Sequence, residues 1–505
     1  MKRIFASSAA VLDSNVQSGG GTDVTEEIQA ILDSAADGGG VHLIMDGAAL
    51  VHGLTVHSNT IIECLNKDCG FFMADHTNRP LIRNADWSLK EIKNRSITLL
   101  GGTYNHNCTK QAHHVSVDEF PLPEGDLSDD FVYYCSEEAI HAIYLAEFYG
   151  VENLIVRDVT LKNQRSYAFT LGNFLNTLIE NCSIDMAELV HPSNQDGFHF
   201  FGPGKFLTIK NVRGCTGDDF INVAPDEMDN VSSITDVLID GVTLDDCCQG
   251  IRMLSHKEGR LDRVTVRNVS GRYRTFGFSI MPFYRGKDFG NYGDFFFENI
   301  NLQQIPETYH YTPMTFFQLG GDFDCVTMKY IRFHSPCRGN TVLDIGNPYF
   351  YAPEELTQEE IEEYSITYPQ DWFDRDWIPD DTQPRIKTLI IDGLTISTDE
   401  TTDKTSYIEL RYDIDNCILK NIQLFRSGNA VTGGNLIKLC SRVNIRNMIL
   451  EDIFAEKVDS ILSAGEGHKV DLIKADNILL KNGTEIFKIN DAEVEKLIKS
   501  DMNQI

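Results

Sequence analysis

One phrase recurs along this chain: a short alternating strand, a single Asn or Asp, then a second short strand. It reads VENLIVRDVTLKN at 151–163, NTLIENCSI at 176–184, FLTIKNVRG at 206–214 and ITDVLIDGVTL at 234–244. It returns as LDRVTVRNVSG at 261–271, DFFFENINL at 294–302, KTLIIDGLTI at 387–396, CILKNIQLF at 417–425 and RVNIRNMIL at 442–450. With the polar residue as anchor, Asp158, Asn181, Asn211, Asp240, Asn268 and Asn299 are spaced 23, 30, 29, 28 and 31 residues apart. Asp392, Asn421 and Asn447 continue the series at spacings of 29 and 26.

Period-2 alternation marks these segments as strands. A period in the twenties, with several short strands per unit, is the mark of a parallel β-helix. Propeller blades need about 40 residues each, so these repeats are too short for them. The expected fold is therefore all-β, a right-handed parallel β-helix over residues 1–490 as one domain. The ends of such a solenoid expose strand edges that need covering. Residues 23–36, DVTEEIQAILDSAA, are expected to form an N-terminal capping helix. Asp23 and Glu26 have capping-box spacing, and Val24, Ile28, Ile31, Leu32 and Ala35 make one apolar stripe. Residues 491–505 are expected to form a C-terminal helical tail. Two segments interrupt the repeat: 107–138, and the acidic, aromatic stretch 346–385 with a helix expected at 356–364.

Composition narrows the function classes. The 505 residues are 42% hydrophobic and 24% charged, the balance of a folded, water-soluble chain. Lys+Arg 44 against Asp+Glu 75 gives a net charge of −31, which repels phosphate backbones and anionic lipid. Neither a nucleic acid nor a membrane is an expected partner, and no apolar run approaches the roughly 20 residues of a membrane span. The start, Met1-Lys2-Arg3 and then an apolar stretch to Leu12, mimics a signal peptide but closes at Asp13 without a cleavage region. The twelve cysteines show no C-x-x-C pair, which suits reduced, packed thiols. A cytoplasmic location is the expectation, with secretion as the alternative.

The chemically loaded stretch is NQDGFHFFGPGKFLTIKNVRGCTGDDFINV, residues 194–223. Asp196 and Asp219 are 23 residues apart, one coil, so they stack on adjacent rungs roughly 5 Å apart. Asp218 adjoins Asp219, and three crowded carboxylates favour retention of a proton by one of them. A protonated acid beside ionised bases is what glycosidic cleavage requires. The same Asp-Gly and Gly-Asp-Asp strings also serve turns alone, and spacing does not separate the two readings.

The succession VENLIVRDVTLKNQRSYAFTLGN, NQDGFHF and GDDFINV resembles glycoside hydrolase family 28, the polygalacturonases and their relatives in the pectate-lyase-like β-helix superfamily. The likeness covers about residues 140–285 well. The family's Asn-Thr-Asp-Gly motif stands here as Asn194-Gln195-Asp196-Gly197, and its Gly-Asp-Asp motif as Gly217-Asp218-Asp219. The resemblance implies an inverting hydrolase with Asp218 as general acid and Asp196 with Asp219 holding the attacking water. Two departures bear on the substrate. Gln249 stands where the family's Gly-His-Gly has His. Its Arg-Ile-Lys, which engages a substrate carboxylate, falls near Ser279-Ile280-Met281, where no cation stands.

Further substrate-binding candidates are Asn194, His199, Gln249, Arg252, His256 and Tyr167. His199, three residues after Asp196, falls by alternation on the opposite strand face, so a bend is needed to bring it into a groove. Tyr167, one coil before Asp196, is either a sugar platform or packing. Trp372 and Trp377 in the second insertion are either a subsite wall or anchors for that loop. No metal or cofactor is expected, because the Asp-rich loops lack a calcium spacing. The expected partner is an oligosaccharide or polysaccharide. Two rivals remain: a lyase or epimerase acting on uronates, which needs a cationic base, and a binding-only solenoid, which needs no carboxylate cluster.

Overall fold

The computed structural model describes residues 1–36, 38–111, 113–114, 133–134, 144–186, 195–226, 232–255, 259–281, 290–305, 315–335, 341–346, 384–398, 406–440 and 443–505. It is a parallel β-helix. Every strand pairing among the described residues is parallel, each strand pairing with its counterpart one coil on. In one long ladder, Ala146–Arg157 pairs with Phe169–Glu180, that strand with Phe198–Gly214, and Phe198–Gly214 with Ser233–Met253. In another, Arg260–Ile280, Asn291–Gln304, Asp322–Ser335, Arg385–Thr398, Asp413–Arg426, Asn444–Glu456 and Lys469–Lys481 follow in order. Contacts group the chain into two compact units, Met1–Cys248 and Gln249–Ile505. In a repeat architecture each coil touches only its neighbours, so nothing ties the first coil directly to the last.

The polar anchor of each repeat is a residue in the left-handed region. Asp158, Asn181, Asn211, Asn268, Asn299 and Asn421 have φ between 51° and 58°. Asn and Asp tolerate this conformation because their short polar side chains bond locally. Where the anchor motif reads Asp-Gly, the following glycine takes the turn instead, at Gly241 (φ 83°) and Gly393 (φ 90°). The side chains then bond from coil to coil. Asn181 Nδ2 donates to Asp158 Oδ1 (3.0 Å), and Asn211 Nδ2 donates to Asn181 Oδ1 (3.2 Å). One anchor needs revision and one turn lies outside the series. Asn447 pairs in register with Asn416, and Asp452 (φ 54°) takes the turn on that coil. Tyr330 (φ 55°), a residue without such a side chain, fills the turn after Asn299.

This column gives a direct prediction. Asn181→Ala removes a donor, an acceptor and a residue suited to positive φ, and should cost about 1–2 kcal/mol. Asn181→Gly should recover part of that loss, because it restores the turn without the bonds. Chemical unfolding of both variants checks it; an alanine variant as stable as the parent would show the column to be incidental.

Inward residues fill each unit with apolar side chains, and aromatic rings stack between coils. Phe278 lies parallel to Phe317 at 4.2 Å, and Tyr292 to Phe323 at 4.6 Å. The N-terminal helix spans Thr25–Asp33, shorter than the expected 23–36, and buries Ile28, Ile31 and Leu32. No capping box forms, because Val24 holds the N-cap position without a side-chain bond. Asp23 instead accepts from the Thr25 N–H (3.0 Å) and hydroxyl (2.6 Å). Gln29 secures the helix to the backbone of Thr55, donating to its O and accepting from its N–H, both at 2.9 Å.

The expected C-terminal helix is a strand. Glu493–Gln504 pairs in parallel with Lys469–Lys481. As a helix the segment would satisfy only its own backbone, whereas as a strand it also takes the open edge of Lys469–Lys481. The helix expected at 356–364 and most of both insertions lie outside the described residues. No helix among the described residues is long and apolar enough to cross a membrane.

Candidate active site

The Asp196 and Asp219 carboxylates come together because of strand register. Phe198 pairs with Ile221, and the Gly197 N–H donates to Asp219 O (2.8 Å), which sets Asp196 beside Asp219 on neighbouring coils. Asp219 opens the strand Asp219–Ala224, and Asp218 is the last residue of the turn before it. Thr216 holds that turn, its hydroxyl donating to Asp218 O (2.8 Å). One oxygen from each of Asp196, Asp218 and Asp219 lies within 4.8 Å of the other two. All three residues are buried, at 2%, 6% and 2% exposure. At such separation the three carboxylates repel one another strongly when ionised.

Each flanking carboxylate has a polar partner three residues further along the chain. His199 Nδ1 lies 2.7 Å from Asp196 Oδ2, and Asn222 Nδ2 donates to Asp219 Oδ2 (2.8 Å). His199 and Asn222 are themselves register partners. The structure thus repeats one device on two coils: carboxylate, two residues, partner. Asn222 was missed in the sequence, although aligning D-G-F-H at 196–199 with D-F-I-N at 219–222 exposes it. Alternation misplaced His199. Asp196 precedes the strand, which begins at Phe198, so the chain bends at Gly197 and the two side chains meet.

Tyr167 packs. Its ring lies parallel to Tyr144 at 4.7 Å and to His199 at 4.2 Å, with interplanar angles of 6° and 9°. Rings from the coil before and the coil after occupy its faces, which leaves none for a sugar and fixes the His199 imidazole instead. The aromatic wall continues from His199 to Phe201 (4.5 Å), from Phe201 to Tyr149 (6.2 Å) and from Tyr149 to Trp87 (4.8 Å). Trp87 is 40% exposed, and sequence reasoning passed over it because it lies 109 residues from Asp196.

His106 is fully buried and accepts the Arg165 N–H at Nδ1 (3.2 Å), while Nε2 faces Arg79 O (3.2 Å). Burial, helped by the Arg165 charge, pushes its pKa down to about 4, so it is neutral near pH 7. Gln195 and Gln164 brace the Asp196 segment: Gln195 Nε2 donates to Gln164 O (3.1 Å), and Gln164 Nε2 to Asp196 O (3.4 Å).

Gln249 and Arg252 belong to the second unit, in the last residues of Ser233–Met253, and are 1% and 8% exposed. The Arg252 guanidinium sits 5.8 Å above the Phe276 ring. Asn194, His256, Trp372 and Trp377 lie outside the described residues. As for a metal, Asp196, Asp218 and Asp219 are the one group among the described residues whose oxygens converge closely enough to hold a cation.

No protein-family model matches this chain, and no curated protein does. Among solved structures, it is similar to the family 28 exopolygalacturonase of Yersinia enterocolitica, at 12% identity and TM-score 0.47 over 99% of this chain and 78% of that one. It is similar to PfbA, a surface adhesin of Streptococcus pneumoniae, at 11% identity and TM-score 0.44, over 100% and 93% of the two chains. It is also similar to the A-module of a mannuronan C-5 epimerase from Azotobacter vinelandii, at 11% and 0.41, over 93% and 98%. A family 28 enzyme, an adhesin and an epimerase thus stand among its neighbours at low identity.

Proposed function

We propose that this chain is a glycoside hydrolase acting on a neutral oligosaccharide through Asp196, Asp218 and Asp219. The observation that supports it is the convergence of three buried carboxylates within 4.8 Å, two of them held by dedicated partners. In this reading Asp218 gives its proton to the glycosidic oxygen as the bond to the anomeric carbon breaks. Asp196 and Asp219 take a proton from the water whose oxygen bonds to that carbon. His199 and Asn222 orient those two carboxylates, each through one hydrogen bond. The division of roles and the inversion follow the family 28 resemblance.

The separation itself favours a second reading. Inverting pairs usually stand about 6.5–9.5 Å apart and retaining pairs about 5–5.5 Å, so carboxylates this close also suit a covalent glycosyl intermediate. NMR of the first-formed sugar decides between them. Inverted product supports the water mechanism, and retained product makes Asp196 or Asp219 a nucleophile.

The neutral substrate of this reading rests on the sequence, where Ser279-Ile280-Met281 stands at the place the resemblance gives to the family's Arg-Ile-Lys. Ser279 and Met281 are 1% and 3% exposed, and neither carries charge. A galacturonate carboxylate beside three Asp residues needs a fixed cation, without which repulsion and desolvation weaken binding by several kcal/mol. Comparing kcat/KM on oligogalacturonates with that on neutral galactosides, fucosides and rhamnosides tests this. Preference for the uronate would overturn it, and Arg252, Arg274 or Arg285 would be the cations to examine.

Metal removal is the accompanying prediction. Proton transfer among carboxylates needs no Lewis acid, so exhaustive EDTA treatment should leave the hydrolytic rate unchanged. Activity restored only by calcium, with unsaturated products absorbing in the near ultraviolet, would instead establish a lyase.

A further inference from the structure

A second cluster of ionisable side chains lies in the unit Gln249–Ile505 on the coils that follow Ser279, and the proposed proton transfers do not use it. Strand register sets Ser279, Gln318, Asp344 and Glu409 opposite one another on four successive coils. Coils in a parallel sheet are about 4.8 Å apart, so the four form a strip roughly 15 Å long. Their strand neighbours Phe317, Leu343 and Ile408, and likewise Leu319, Ile345 and Leu410, are fully buried core residues. By alternation the polar four occupy the opposite face, yet they too are only 1%, 2%, 4% and 8% exposed.

Arg411 closes the strip. Its Nε donates to Asp344 Oδ1 (3.1 Å), and its Nη2 donates to Glu409 Oε2. Burial pushes the Asp344 carboxyl up to about 6, against the pull of Arg411. The telling group is Gln318. Ser279 Oγ approaches its Oε1 at 3.4 Å, and its buried Nε2 has no hydrogen-bond partner. A buried N–H without a partner costs stability, so its retention points to a ligand that supplies the acceptor.

We propose that Gln318, Asp344, Glu409 and Arg411 form a second saccharide-binding site, one that takes neutral sugar hydroxyls. The amide and guanidinium donate and the two carboxylates accept, side by side, which matches hydroxyl groups that do both. Lys438 stands opposite Glu409 on the next coil, so two carboxylates meet two cations, and no excess positive charge is left to favour a uronate or phosphate over neutral hydroxyls. The guanidinium held between the carboxylates equally disfavours a divalent cation.

Calorimetry of the full chain with neutral galacto-, gluco-, manno- and xylo-oligosaccharides, and with oligogalacturonate as the charged control, tests this. Gln318→Met and Glu409→Gln should each weaken binding of the preferred neutral oligosaccharide by about tenfold or more while thermal unfolding stays close to that of the parent. Unchanged affinity in these folded variants overturns the proposal. So does equal binding of oligogalacturonate, or no binding of any neutral sugar by the parent. The site shares with the hydrolase reading only the premise that the ligand is a saccharide, and an Asp218→Asn background separates the two. Binding in that background that still depends on Gln318 and Glu409, with no hydrolysis by the parent, sinks the hydrolase and leaves this site standing. Hydrolysis by the parent with binding indifferent to both substitutions does the reverse.

Discussion

Asp219→Asn is expected to leave the protein folded and to lower kcat on its best glycoside by at least about two orders of magnitude. The amide that replaces the carboxylate still offers an oxygen to Asn222 Nδ2, which now donates at 2.8 Å, so local structure has no reason to change. What disappears is the capacity to take a proton from water. Asp196→Asn should behave alike, since an amide oxygen can still face His199 Nδ1, now 2.7 Å from the carboxylate. If Asp218 is the proposed proton donor, Asp218→Asn should hurt most on substrates with poor leaving groups, where protonation matters most. Aryl glycosides with good leaving groups should be spared in part. Three near-normal variants on a verified substrate would end the assignment of this cluster to catalysis.

Phe317→Ala is expected to destabilise the second unit by about 3–5 kcal/mol. The ring is wholly buried, parallel to Phe278 at 4.2 Å, and edge-on to Phe297 at 5.1 Å and Phe316 at 4.8 Å. Alanine leaves a void the size of a benzene ring, and the neighbours cannot close it. Each is tied to a strand whose spacing is set by backbone hydrogen bonds. Phe317→Leu fills most of the space and should cost only about 1–2 kcal/mol. Urea unfolding of the three proteins measures the difference. A loss under about 1 kcal/mol for alanine would mean that this core is looser than its stacked rings suggest.

The sequence carried the repeat clearly because the coil turn has a chemical requirement. A left-handed residue recurs at the same turn of successive coils, and Asn181, Asn211 and Asn268 announce it. Where the turn is made by Tyr330, no such residue marks it, and the sequence reading skipped that coil. The terminal segment was misread for a related reason. DAEVEKLIKSDM has apolar positions that suit a helix, and only the open edge of Lys469–Lys481, a tertiary fact, selects the strand. At the site, the pairing of Asp196 with Asp219 was legible from one-coil spacing. The approach of His199 was not, because alternation holds only inside a strand and the strand starts two residues after Asp196. The Gln318–Asp344–Glu409 strip was invisible, since irregular spacings of 26 and 65 residues separate its members.

Lys329 pairs with Asp392 and Ile331 with Leu394, so the register resumes intact although 63 residues separate the two turns flanked by these pairs, at Tyr330 and Gly393. The preceding turns, Asn299 and Tyr330, are only 31 apart. Doubling a connection costs only about 0.6 kcal/mol in closure entropy, little against the eleven register pairs that rejoin beyond it. The ladder therefore acts as a backbone onto which segments of different length can be grafted without disturbing what lies on either side. Such a protein can acquire new loops at its turns, or lose old ones, at almost no thermodynamic risk. Swapping segments between coils is accordingly a practical route to redirecting its specificity while its core is left alone.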